Sequence, residues 1–152
     1  MKAKFVNNYI YEGLGFPVEL KKVEMIFIDG DWAPKIDVKK MADEVIEKLA
    51  IQDARLTGNQ VKFIRSYFSM SLRDFGEKVA HESHMAVSKW EKKGGMPTNM
   101  NANTEHELRL YIMEKKIASS KASMPKFFDI YLATKRFFTQ NSDASSIIRL
   151  AA

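Results

Sequence analysis

From Asn8 to Lys35 apolar and polar positions alternate with the period of strands, and from Asp37 the spacing turns helical. Tyr9 and Tyr11 share a face, and Gly13-Leu14-Gly15-Phe16-Pro17 supplies turn chemistry. Val18 and Leu20 lie on one face, whereas Val23, Met25 and Phe27 resume one residue out of phase, which predicts a β-bulge at Lys21-Lys22. Asp29-Gly30, between Ile26-Phe27-Ile28 and Asp31-Trp32-Ala33, is the two-residue signal of a type I′ hairpin. A small antiparallel sheet of two or three strands is expected.

Asp37 suits an N-cap, and Met41, Val45, Ile46 and Leu49 recur at helical spacing, which predicts an amphipathic helix over 38–51 that covers the sheet. Thr57 with Gln60 and Ser71 with Asp74 form two capping boxes. Val61, Ile64 and Phe68 follow the first, and Leu72, Phe75 and Val79 follow the second. Ser83 caps a third helix with Ala86, Val87 and Trp90 turned inward, and Gly94-Gly95 ends it. Thr104 with Glu107 caps a fourth carrying Leu108, Tyr111 and Ile112. Pro125 opens a fifth with Phe127, Phe128, Tyr131, Leu132 and Phe138 on its apolar side. The pattern is that of an α+β protein, mainly α with a small N-terminal antiparallel sheet. Its parts are a hairpin-plus-helix module over 1–55, a helical domain over 56–118 and a helical extension over 119–152 that packs or dimerises.

Helices at 58–68, 72–80 and 84–92, joined by turns of three or four residues, have the dimensions of a helix-turn-helix. Gly76 allows close approach where the second and third cross. With Phe75, Val79, Val87 and Trp90 inward, His84, Met85, Ser88, Lys89 and Lys92 fall on the opposite stripe. Such a helix fits the major groove. Ser83, His84, Met85, Ser88 and Lys89 are the candidate base readers: lysine donates to guanine, serine donates or accepts, and methionine packs on a thymine methyl group. Asn59, Arg65, Ser71, Arg73, Lys78, Lys92 and Lys93 are candidates for the phosphates, which position a protein without reading sequence.

Charge points the same way. The net charge is +5, but residues 1–55 carry nine basic and ten acidic side chains, while 56–118 carry ten and seven. A basic excess confined to the later part of the chain suits a polyanion partner. There is no cysteine, which removes disulfides and thiolate metal sites and fits a cytoplasmic setting. No stretch approaches the roughly 20 apolar residues of a membrane span. His81 and His84 lack a third ligand at useful spacing, so no metal and no cofactor is expected.

The run MSLRDFGEKVA…AVSKWEKKG resembles the helix-turn-helix of Cro/lambda-repressor-type regulators, through Ser71, Phe75, Val87, Ser88, Trp90 and Glu91. Leu72 replaces a glutamine that commonly touches phosphate, Gly76 and Ala80 replace the usual alanine and glycine, and the turn from Ala80 to Val87 is one residue longer. Tyr9, Tyr11, Gly13, Leu14, Leu56, Thr57, Gly58, Phe63, Ile64 and Arg65 further match regulators related to the antitoxin of the motility-quorum-sensing toxin–antitoxin pair. Together the two matches cover residues 7–118. The resemblance implies a lambda-repressor-like five-helix domain in a homodimeric repressor on an inverted-repeat operator, an antitoxin that autoregulates a type II toxin–antitoxin operon and binds a cognate toxin. The full antitoxin has a CxxC…CxxC zinc module, which does not transfer to a chain without cysteine. Met85 stands where that relative has its base-reading asparagine, and Lys89 replaces its arginine, so the operator sequence differs.

An enzyme is not expected: there is no Gly-rich phosphate loop, no H-E-x-x-H and no cysteine nucleophile. The rival reading is a protein-interaction module that neutralises a partner without touching DNA, with Ile147-Ile148-Arg149-Leu150 at a dimer or toxin surface or packed on the domain.

Overall fold

The computed structural model describes residues 2–116 and 147–150. Strands β1 (Ala3–Tyr11), β2 (Val18–Ile28) and β3 (Asp31–Pro34) precede helices α1 (Val38–Ile51), α2 (Gly58–Tyr67) and α3 (Leu72–Phe75). A single π turn, Gly76–Ala80, continues α3 and is followed by α4 (His84–Glu91), α5 (Ala102–Lys116) and β4 (Ile148–Leu150). The described residues therefore combine five helices with a small, mostly antiparallel sheet, in keeping with an α+β class. The helix anticipated at Pro125 lies outside the described residues, and so does the extension over 119–146.

Two compact units divide the chain within α1, between Val45 and Ile46; residues 147–150 belong to the first. In that unit the strand order is β1-β2-β3, with β4 parallel to β2. Because β1 runs along one edge of β2, β3 (on Met25–Ile28) and β4 (on Val18–Leu20) share the other edge. The C-terminal tail, read as part of a helical extension, is thus a strand. Alternation explains it: Ile148 and Leu150 point inward at 4% and 3% exposure, and Arg149 pairs outward with Glu19.

The Asp29-Gly30 turn takes φ +53° and +83°, the two left-handed residues of a type I′ hairpin. The bulge expected at Lys21-Lys22 is corrected. Val18, Leu20, Val23 and Met25 are all buried, so the change of phase is real. Register, however, is constant from Ala3↔Ile26 to Tyr11↔Val18, with no extra residue on either strand. Asn8, opposite Lys21, adopts φ +59°, so both strands change face together. Asparagine is among the few side chains that accept this conformation. The strand also begins five residues earlier than the alternation indicated, because Phe5 and Val6 are adjacent and mask the period.

Asp37 caps α1 as its side chain predicts, its Oδ1 accepting the Lys40 N–H at 3.1 Å. In the second unit Leu49, Leu56, Val61, Ile64, Phe75, Val87, Leu108 and Ile112 are each fully buried. Each such side chain removed from water contributes about 1.5–3 kcal/mol. The N-cap of α5 is Asn101, three residues before the expected Thr104: its Oδ1 accepts the Asn103 N–H at 2.8 Å and its carbonyl the Glu105 N–H at 3.0 Å. Glu105 and Arg109 share the buried side of α5 with Leu108 and Ile112. Among the described residues, no helix is long and apolar enough to cross a membrane.

Candidate nucleic-acid interface

Three short helices are fixed by their first turns. Thr57 and Gln60 form a complete capping box at α2, with Gln60 N–H to Thr57 Oγ1 at 3.2 Å and Thr57 N–H to Gln60 Oε1 at 3.1 Å. Ser71 Oγ accepts the Asp74 N–H at 3.1 Å, and Ser83 Oγ accepts the Ala86 N–H at 3.2 Å. At the far end of the π turn, His81 sits at φ +54°, and Gly76 O accepts the N–H groups of both His81 and Glu82. The helix that opens at Leu72 thus ends in a π turn closed by a left-handed residue before Ser83 caps the next helix.

Gly76 is required where that turn folds back. A Cβ there would lie 2.4 Å from the Glu82 carbonyl oxygen, a backbone atom that cannot step aside. Gly58 has the same role at the start of α2, where a Cβ would meet Trp90 O at 2.4 Å and Gly94 N at 2.7 Å. Its N–H, and that of Asn59, donate to Met96 O and Gly94 O.

The outcome is an α4 with a buried and a bare face. Phe75, Val79, Val87 and Trp90 are all buried. Ser83, His84, Met85, Lys89, Lys92 and Lys93 are exposed, Met85 at 64%, and Ser88 is half-buried. Of the candidate base readers, His84, Met85 and Lys89 are therefore exposed on α4, Ser83 is exposed at its N-cap and Ser88 is half-buried.

Among the seven proposed phosphate contacts the structure discriminates. Arg65 is engaged within the protein: its guanidinium grips Glu91 with two hydrogen bonds, Nε to Oε2 at 2.7 Å and Nη2 to Oε1 at 3.0 Å, while Nη1 donates to the Met70 carbonyl. The hydrogen bond to Glu91 raises its pKa above the ordinary arginine value, against the opposing pull of burial. Arg65 is a clamp between α2 and the end of α4. It also neutralises Glu91, so Lys89, Lys92 and Lys93 dominate the charge of that region. The Asn59 backbone is likewise occupied, which leaves only its half-buried side chain. Lys78 is exposed and lines a cleft with His81, Glu107 and Glu114. Ser71, Arg73, Lys92 and Lys93 remain exposed.

A buried polar network was not legible in the sequence. Glu105, fully buried, accepts from Arg55 Nε at 3.0 Å, Arg109 Nη2 at 3.0 Å and the Leu56 N–H at 3.2 Å. Arg109, also fully buried, donates to the carbonyls of Gln52 at 2.6 Å and Ala54 at 2.7 Å. Burial pulls the Arg109 guanidinium below its ordinary pKa, and Glu105 pulls the other way. The i,i+4 spacing of Glu105 and Arg109 was the one available signal. This network ties the segment before α2 to α5 and so fixes the frame that carries α4.

No family model matches this chain, and comparison with curated proteins and with solved structures gives no match.

Proposed function

We propose that this chain is a sequence-specific DNA-binding regulator of the Cro/lambda-repressor type, with α4 as its recognition helix. The observation that carries the reading is the division of α4: Val87 and Trp90 hold it down while His84, Met85 and Lys89 stand toward solvent and Ser88 lies half-buried beside them. A helix so held presents a donor, a mixed donor–acceptor and an apolar contact to base edges. Lys92, Lys93 and Arg73 supply sequence-independent attraction to the backbone. The regulator acts as a dimer on an inverted repeat with half-sites about 34 Å apart. It is a repressor and, by its resemblance to the motility-quorum-sensing antitoxins, autoregulates a toxin–antitoxin operon.

The test is selection of bound duplexes from a random pool by the full chain. Enrichment of an inverted repeat is expected; a pool that stays random after repeated rounds rejects the reading. The antitoxin role is checked separately, by whether co-expression rescues growth from the toxic product of a neighbouring gene. The rival reading, a protein-binding module, has one specific support in the exposed apolar residues Phe5, Ile10, Phe27 and Ile28 of the sheet.

A further inference from the structure

The outer edge of β1 is unpaired among the described residues, since β1 ends the strand order and its only neighbour is β2. Which backbone groups face that edge follows from one hydrogen bond. Phe27 N–H donates to Lys2 O at 3.2 Å, so Lys2 and Phe27 form a hydrogen-bonded antiparallel pair. Hydrogen-bonded pairs recur at every second residue, so Lys4 and Val6 also direct their N–H and C=O groups toward β2. Ala3, Phe5 and Asn7 direct theirs outward. Asn8, at φ +59°, then breaks the edge, which confines its regular part to five residues. Phe5, at the centre of that stretch, is 63% exposed.

We propose that this edge pairs antiparallel with the same edge of a second copy of the chain, about a two-fold axis through Phe5. The segment is self-complementary in the way such an interface requires. In that register Phe5 faces Phe5 and Ala3 faces Asn7, and all three are the outward-directed positions, so each facing pair exchanges both of its hydrogen bonds. Lys4, the segment's one charged residue, falls opposite Val6 rather than opposite its own copy, so no like charges meet directly. The two Phe5 rings, each now exposed beneath a lysine (Lys22 Nζ lies 4.6 Å from the ring centroid), would cover one another. The interface rests on the dimeric part of the reading above but not on DNA. A test by mass without DNA therefore keeps the two apart.

The experiment measures the mass of the full chain in solution by light scattering, for the wild type and for Phe5→Pro. Proline removes only the outward N–H of residue 5 and leaves the bonds of Lys4 and Val6 to β2 intact. The wild type is expected at twice the 17.5 kDa chain mass and Phe5→Pro at the single mass. Because the chain has no cysteine, Phe5→Cys gives a second test that does not depend on how the proline variant folds. Facing Cα atoms in a hydrogen-bonded pair are about 5.5 Å apart, inside the range a disulfide spans. Oxidation should link Phe5→Cys into a dimer and leave Ile10→Cys unlinked. A monomeric wild type, a folded Phe5→Pro that stays dimeric, or equal cross-linking at positions 5 and 10 overturns the proposal.

Discussion

Arg65 and Lys89 are both cations near the end of α4, and their surroundings give them different work. Arg65 is half-buried, with two of its nitrogens on Glu91 and a third on a carbonyl. Arg65→Ala leaves that carboxylate without its partner and should cost about 2 kcal/mol of stability, the scale of hydrogen bonds to charged groups. Thermal melting checks this, with Arg65→Lys expected to recover only part, since an ammonium cannot reproduce the planar fork. Lys92 and Lys93 are exposed, and their replacement by alanine should leave melting unchanged. It should weaken every duplex alike and reduce the salt slope by about one per lysine.

At the level of elements, close backbone crossings and one buried charge cluster set the geometry. Gly76→Ala forces a methyl group against a backbone carbonyl and should destabilise by about 1–3 kcal/mol. Gly95→Ala, with nothing within 4 Å of its new Cβ, should be close to neutral. Urea unfolding of the two variants makes the comparison. Glu105→Gln leaves Arg109 buried without its counter-charge and should cost about 3–5 kcal/mol in the same assay. The helices were readable because each has a local cause: Asp37, Thr57, Ser71 and Ser83 all accept a first-turn N–H as their side chains predict. Thr104 misled because Asn101, three residues earlier, also carries a capping side chain, and its Oδ1 accepts the Asn103 N–H. Arg55 and Gln52 meet that pair across about fifty residues of chain, a distance over which no sequence period operates.

For the molecule as a whole, the sheet was legible in its turns and only partly in its extent. Asp29-Gly30 forces its hairpin, whereas β4 comes from the far end of the chain and joins β2 through three residues, which no local pattern announces. The open face of α4 was legible because Val87 and Trp90 fix its rotation. The fate of Arg65 was not, because an arginine on a helix reads the same whether it meets phosphate or glutamate. If the chain binds DNA as proposed, log affinity should fall linearly with log salt, by about 0.9 for each phosphate neutralised. The most direct measurement is the affinity of wild type and Lys89→Ala for the selected duplex and for a scrambled one. The account predicts that Lys89→Ala, with unchanged melting, loses about tenfold or more on the selected duplex, the scale of one lost base contact, and much less on the scrambled one. Equal affinity of the two proteins for the selected duplex would contradict it.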